Sequence, residues 1–219
     1  MPTGTNLNFM KSKLFSYKGK TSTVTFNAAR CIHAGECVRG LPGVFDPDKK
    51  PWIDPDNASA EDLEDVIKRC PTGALTLTEE EAVPGENTVR VMPGGPLYVR
   101  GAISLDLGDG NVVHETRLAL CRCGASSNKP LCDGRHKKAG FSDSGRIRES
   151  KMKDGEAETK DLSVKLAANG PLLCEGPMVL SAGKDTIPGI RTALCRCGAS
   201  RNKPFCDGMH REIDFQGQE

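Results

Sequence analysis

The segments ALCRCGASSNKPLCDGRH (119–136) and ALCRCGASRNKPFCDGMH (193–210) agree at fifteen of eighteen positions. Each reads Cys-x-Cys, eight residues, Cys, three residues, His. The donors are Cys121, Cys123, Cys132 and His136 in the first copy, and Cys195, Cys197, Cys206 and His210 in the second. Thiolate and imidazole donors suit zinc or iron. Cysteines two apart on an extended chain point to opposite faces, so their convergence on one metal demands a kinked loop. The Gly-Ala-Ser directly after each pair permits one. Cysteine and histidine four apart share a face once a helical turn starts between them. Asp133 and Asp207 stand where they would cap that turn.

A Cys3His set serves either one tetrahedral zinc or two sulfide-bridged irons. Structural zinc sites use Cys pairs two to four residues apart and His pairs three to five apart, and this spacing fits neither template well. A diiron cluster wants two ligands per iron, which Cys-x-Cys and Cys-x3-His supply as two pairs.

Both copies closely resemble the signature C-x-C-x2-S-x3-P-x-C-D-G-x-H of the CDGSH iron–sulfur (NEET) family. Ser126, Pro130, Asp133 and Gly134 fall on its positions in the first copy, and Ser200, Pro204, Asp207 and Gly208 in the second. The departure lies just before the histidine, where Arg135 and Met209 replace the family's serine. The resemblance covers residues 86–219. It implies one [2Fe-2S] cluster per motif, two cysteines on one iron and Cys plus His on the other. It further implies that the tandem chain mimics the dimer of single-motif members.

A neutral imidazole in place of a thiolate removes a negative charge and raises the cluster's reduction potential. A proton also competes with iron for the ring nitrogen, so acidification is expected to release both clusters. Basic residues surround the motifs. Arg122 with Arg196 and Lys129 with Lys203 recur in both copies, so these four are the candidates for balancing anionic clusters or steering an acidic redox partner.

A third group of cysteines lies near the amino terminus: Cys31, five residues, Cys37, then Cys70-Pro71. A bacterial-type ferredoxin run is C-x2-C-x2-C with a later C-P, and here Ala34 stands at the middle cysteine. Three thiolates suit a [3Fe-4S] cluster. His33 beside the vacant position is the alternative fourth ligand for a [4Fe-4S] cluster, and inert packing of the three cysteines is a further alternative. Roughly residues 15–80 resemble the divergent single-cluster ferredoxin domains.

Two potential ligands fail a test of matched copies. Cys174 aligns with Val99 and His114 with Pro188, and a ligand is not replaceable by valine or proline, so both are read as non-ligands. No phosphate-cradling loop, paired carboxylates or Ser-His-Asp order is present. The protein is therefore expected to be an electron carrier or cluster-transfer protein rather than an enzyme.

The elements that position these residues can be read from the rest of the chain. The repeat extends upstream, where TVRVMPGGPLYVRG (88–101) aligns with SVKLAANGPLLCEG (163–176). Each unit is thus expected to hold short strands, a glycine turn, a ligand loop and a brief helix. SDSGRIRESKMKDGEAETKD (142–161) reads as a solvated connection and TEEEAVPGEN (78–87) as a boundary. In the first block STVTF (22–26) and ALTLT (74–78) alternate as strands. SAEDLEDVIKRC (59–70) reads as a helix capped by Ser59 and Asp62 and stopped by Pro71, with Leu63, Val66, Ile67 and Cys70 on one stripe. Trp52 and Phe45 are expected in its small core.

The expected fold is α+β: a ferredoxin-like domain (1–85), a first CDGSH-type domain (86–141), then a linker and second CDGSH-type domain (142–219), the last two as a pseudo-twofold pair. Ten cysteines without a secretory signal point to metal or cluster ligation over disulfides. A formal net charge of +1 gives no global attraction to nucleic acid. No run approaches the roughly 18 apolar residues of a membrane span. The expectation is a cytoplasmic monomer with internal pseudo-twofold symmetry, partnered by a redox protein or an apo cluster acceptor, with neither nucleic acid nor membrane. Electron transfer is the leading reading. Cluster donation, redox or pH sensing, and a zinc-stabilised binding module are its rivals.

Overall fold

The computed structural model describes residues 13–77, 85–108 and 110–217. They form two compact units, one on each side of residues 78–84. Most of the boundary read from TEEEAVPGEN lies outside the described residues.

The first unit is a three-stranded antiparallel sheet in the order β1 (Leu14–Lys18), β2 (Thr23–Asn27), β3 (Leu75–Leu77). Two helices, α1 (Glu36–Gly40) and α2 (Ala60–Lys68), lie between β2 and β3 in the chain. The apolar stripe of α2 explains its packing. Leu63, Val66 and Ile67 are buried with Val24, Phe45, Ile53 and Leu75, and Trp52 packs on this core edge-on to Phe26 at 4.9 Å. Ser59 Oγ accepts from the Asp62 backbone N–H (3.1 Å), as the sequence predicts. Asp62 differs from the glutamate of a capping box: its shorter carboxylate accepts from the Ser59 hydroxyl (2.6 Å).

The second unit is one six-stranded sheet made of β4 (Thr88–Val91), β5 (Leu97–Asp106), β6 (Val112–Leu120), β7 (Leu162–Leu166), β8 (Leu172–Ala182) and β9 (Asp185–Leu194). Alternation of buried and exposed residues along β5 and β8 matches the period of two in the sequence. Its strands do not divide by repeat. Thr88 of β4 lies opposite Arg100 of β5 and also opposite Val179 of β8. Ser163 of β7 likewise lies opposite Glu175 of β8 and Ser104 of β5. Each long strand changes register midway, between Arg100 and Ile103 and between Glu175 and Met178. Such a bulge lets one half of the strand pair within its own repeat and the other half with its counterpart. Asn87 ties the exchange together: its side-chain amide donates to Lys160 O and Pro177 O, each at 2.8 Å, and its carbonyl accepts from Ala102 N–H.

Two expectations change here. Residues 142–161 are largely exposed but not a free connection, because Asp143 pairs with Arg122 and Lys153 bridges to Arg191 of β9. The brief helix after the ligand loop forms only in the second copy, as α3 (Met209–Glu212), whereas the first copy makes successive turns over 135–140.

Candidate metal centres

Each ligand loop leaves the end of a hairpin strand and returns beside it. Cys121 N–H donates to Pro130 O and Cys132 N–H to Ala119 O, both at 2.8 Å. Cys195 with Pro204 and Cys206 with Ala193 repeat both bonds. Ser126 is buried at the loop's centre, donating to Leu131 O (2.7 Å) and accepting from Asn128 N–H (3.0 Å). Ser200 does the same with Phe205 O and Asn202 N–H. The Asp133 carboxylate caps the turn ahead of His136 by accepting from Arg135 N–H (3.1 Å). Its second oxygen accepts from Ser127 N–H (2.9 Å), which locks the loop across its width. Asp207 matches it with Met209 and Arg201. The peptide bonds Lys129–Pro130 and Lys203–Pro204 are cis.

This scaffold brings the eight predicted donors together as pairs. Cys121 Sγ lies 3.6 Å from Cys123 Sγ, and Cys132 Sγ lies 3.3 Å from His136 Nδ1. In the second copy the separations are 3.7 Å for Cys195–Cys197 and 3.4 Å for Cys206–His210 Nδ1. Two thiolates at ~2.3 Å from one tetrahedral metal sit about 3.7 Å apart, and thiolate with imidazole about 3.5 Å. Each pair therefore fits one metal. Among the described residues, no three His, Cys, Asp or Glu side chains converge on a single ion position.

The protonation of each Cys-x-Cys pair suits metal uptake. In the first copy Cys121 is lowered to about 6, chiefly because it accepts a hydrogen bond from Cys123, whose own thiol is pushed far up. In the second the roles swap: Cys197 is lowered to about 6 by Cys195. The shared feature is one thiolate per pair holding its neighbour's proton, which an incoming metal displaces. Cys132 is pushed up to about 11 by burial, with the nearby Cys121 charge adding to it, so the two pairs of one loop sense each other. Burial also holds His136 below the usual imidazole range; Lys137 adds to this and Asp133 opposes it.

The two loops meet each other. Cys123 and Cys197, one donor from each set, are opposite residues of an antiparallel bridge. Glycine is required beside them. A Cβ on Gly124 would stand 2.5 Å from Cys197 O, one on Gly198 would stand 2.5 Å from Cys123 O, and both have φ near +80°.

The recurring arginines face inward. Arg122 is 1% exposed, donating to Gly95 O (2.8 Å) and Met92 O (2.6 Å), pairing with Asp143, and lying 5.1 Å from the Phe141 ring centroid. Arg196 is 0% exposed, donates to Gly170 O and Ala167 O (both 2.9 Å), and sits 5.4 Å from the Phe215 ring. Buried guanidinium groups cannot steer a partner, so the steering expectation fails for this pair. Phe141 and Phe215, the aromatic after each motif, are their stacking platforms. Lys129 and Lys203 reach back to Ser126 O and Ser200 O.

Cys174 is buried on β8 and its thiol is pushed up to about 12 by desolvation, as a packing residue should be. His114 is exposed on β6, with Nδ1 3.2 Å from Ser104 Oγ.

In the first unit Cys31, Cys37 and Cys70 line one cavity of about 630 Å³ together with His33, Ala34 and Trp52. The three cysteines are half-buried. Burial pushes the Cys31 and Cys37 thiols up, and the neighbouring Cys70 adds to both. A donor set of three thiolates around open space fits an iron–sulfur cluster better than inert packing. His33 is exposed and takes a left-handed backbone (φ 55°).

Known proteins match three stretches of the chain. A family model described as iron-binding zinc finger CDGSH type matches residues 94–137 and 169–211, and one described as divergent 4Fe-4S mono-cluster matches residues 17–80. Among curated proteins the chain is similar to the uncharacterized protein YjdI of Escherichia coli (strain K12). The two are 46% identical over 59 residues, 27% of this chain and 78% of that protein. The YjdI protein of Escherichia coli O157:H7 matches to the same extent. No solved structure matches.

Proposed function

The chain belongs to the CDGSH iron-binding family and carries a divergent 4Fe-4S mono-cluster domain ahead of its two motifs, and from that premise we propose that it is a multi-cluster electron-transfer protein. The observation that carries the reading is the arrangement of donors as two pairs per motif, each spaced for one metal. A zinc module needs four donors around one ion; two pairs support a diiron site. Cys121 with Cys123 and Cys132 with His136 would hold the two irons of one [2Fe-2S] cluster. Cys195 with Cys197 and Cys206 with His210 would hold the second.

Clusters of this type supply one-electron chemistry at potentials set by ligand charge and by hydrogen bonds to sulfur. The protein supplies those bonds through Ala125 N–H to Cys123 Sγ (3.5 Å) and Gly134 N–H to Cys132 Sγ (3.4 Å). The buried Arg122 and Arg196 guanidiniums offset anionic charge near the loops. The bridge between Cys123 and Cys197 gives the two centres a short backbone path. The reciprocal strand registers support reading the repeats as a pseudo-twofold pair, with a core that neither repeat completes alone.

In the first unit Cys31, Cys37 and Cys70 would hold a [3Fe-4S] cluster, with His33 at the cavity as the added ligand if a fourth iron is bound. Partners are a protein redox partner or an apo acceptor. Among the described residues no helix is long and apolar enough to cross a membrane. Stepwise reductive titration of anaerobically purified protein tests the function. Reversible bleaching by separate one-electron steps supports it, and a protein that loses its clusters on first reduction would not be an electron carrier.

A further inference from the structure

In the first unit the loop after the third cysteine reads Cys70-Pro71-Thr72-Gly73, and Thr72 is buried in it at 4% exposure on the wall of the cysteine-lined cavity. Its backbone is held from across the unit. Thr72 O accepts from Arg30 Nε (2.9 Å), which ties the residue before Cys31 to the residue two past Cys70. Its hydroxyl oxygen accepts from Ala74 N–H (3.2 Å), and Ala74 O accepts from Asn27 N–H at the end of β2 (2.7 Å). The same hydroxyl oxygen lies 3.5 Å from Cys70 Sγ. An amide N–H can only donate and a thiolate can only accept. Once Cys70 is ionised as an iron ligand, the threonine proton therefore points at sulfur rather than at Ala74. The second unit uses its buried hydroxyls differently: Ser126 and Ser200 donate theirs to backbone oxygens, Leu131 O and Phe205 O.

We propose that Thr72 is a positioning residue of the first-unit centre, whose hydroxyl donates to the Cys70 thiolate and, through that sulfur, raises the centre's reduction potential. The proposal rests on reading Cys31, Cys37 and Cys70 as cluster ligands. Reduction adds negative charge that spreads onto the ligand sulfurs, so a hydrogen bond to one of them stabilises the reduced state more than the oxidised one. The Arg30 and Ala74 bonds hold the hydroxyl in place, so the donor needs no rearrangement when the electron arrives.

The test is a potentiometric titration of the full holo protein followed by paramagnetic resonance, with the first-unit signal identified as the one that Cys37→Ser removes. Trp52 is the chain's single tryptophan and lines the same cavity, so its fluorescence, together with iron content, reports loading of that site in each variant. Thr72→Val and Thr72→Ala should each lower the first-unit midpoint so that the reduced-to-oxidised ratio at a fixed ambient potential falls about tenfold, about 59 mV for a one-electron couple. Thr72→Ser, which keeps the hydroxyl, should hold the wild-type midpoint, and the centres of the second unit should not move in any variant. An unchanged midpoint in the loaded Val and Ala variants, or an equal fall in Thr72→Ser, would overturn the proposal. So would loss of the first-unit cluster from both Val and Ala variants while Thr72→Ser stays loaded at the wild-type level, because Thr72 would then serve folding alone. A Cys37→Ser protein with wild-type iron content and every signal intact would overturn the reading of the three cysteines as ligands, and this proposal with it.

Discussion

Replacing Gly198 with alanine places a methyl group 2.5 Å from the carbonyl oxygen of Cys123 and 2.9 Å from its carbonyl carbon, in the other repeat. Two costs add. A side chain at φ +85° pays about 1–2 kcal/mol for the left-handed backbone, and forcing a methyl against fixed backbone costs about 1–3 kcal/mol more. Gly208→Ala is the internal control. Its φ is +94°, but nothing lies within 4 Å of the added carbon, so only the backbone cost of about 1–2 kcal/mol applies. For a unit of this size each kcal/mol moves the melting temperature by about 3–5 °C. Gly198→Ala should therefore lower it by about 6–25 °C and Gly208→Ala by about 3–10 °C. Thermal unfolding of the holo protein by circular dichroism measures both. Paramagnetic resonance adds a second readout: Gly198→Ala, a change in the second repeat, should alter the signal of the first centre through Cys123. Equal loss of melting temperature in the two variants, with the first centre's signal unmoved, would refute the close approach of the two loops.

His136→Cys should make the first centre more acid-resistant and lower its potential, since a thiolate adds negative charge and removes the ring nitrogen that a proton contests. The sign of the wild-type pH effect comes from the depressed imidazole: the ring stays neutral and available to iron down to a lower pH than an exposed histidine, and is lost to iron as pH falls further. Absorbance decay on acidification at the same rate in wild type and variant would contradict this. Cys174→Val should leave iron content unchanged and cost less than about 1.5 kcal/mol, because the matched position is already Val99; iron loss in that variant would make Cys174 a ligand. Ser59→Ala should destabilise the first unit by about 1 kcal/mol, since it removes the α2 cap and the Asp62 contact; denaturant unfolding of the full chain reads this out.

The pairing of Cys121 with Cys123 and of Cys132 with His136, and of their counterparts, was legible because metal chemistry needs particular side chains at fixed spacing, and comparison of the two copies is the ground for reading Cys174 and His114 as non-ligands. The stripe of α2 and its Ser59 cap were legible for a similar reason: they are local. What could not be read was long-range. The pairing of β4 with β8 and β7 with β5 depends on a bulge in each long strand, and the strand residues themselves carry the same alternation whichever partner they meet. Arg122 and Arg196 look like surface charges in a sequence, because only the fold supplies the carbonyls and the aromatic face that bury them.

The most direct test of the account is the iron and acid-labile sulfide bound per chain after anaerobic purification. Two diiron centres with a three-iron cluster predict about seven irons and a coloured protein with labile sulfide. Two zinc ions per chain, with no colour and no labile sulfide, would contradict it.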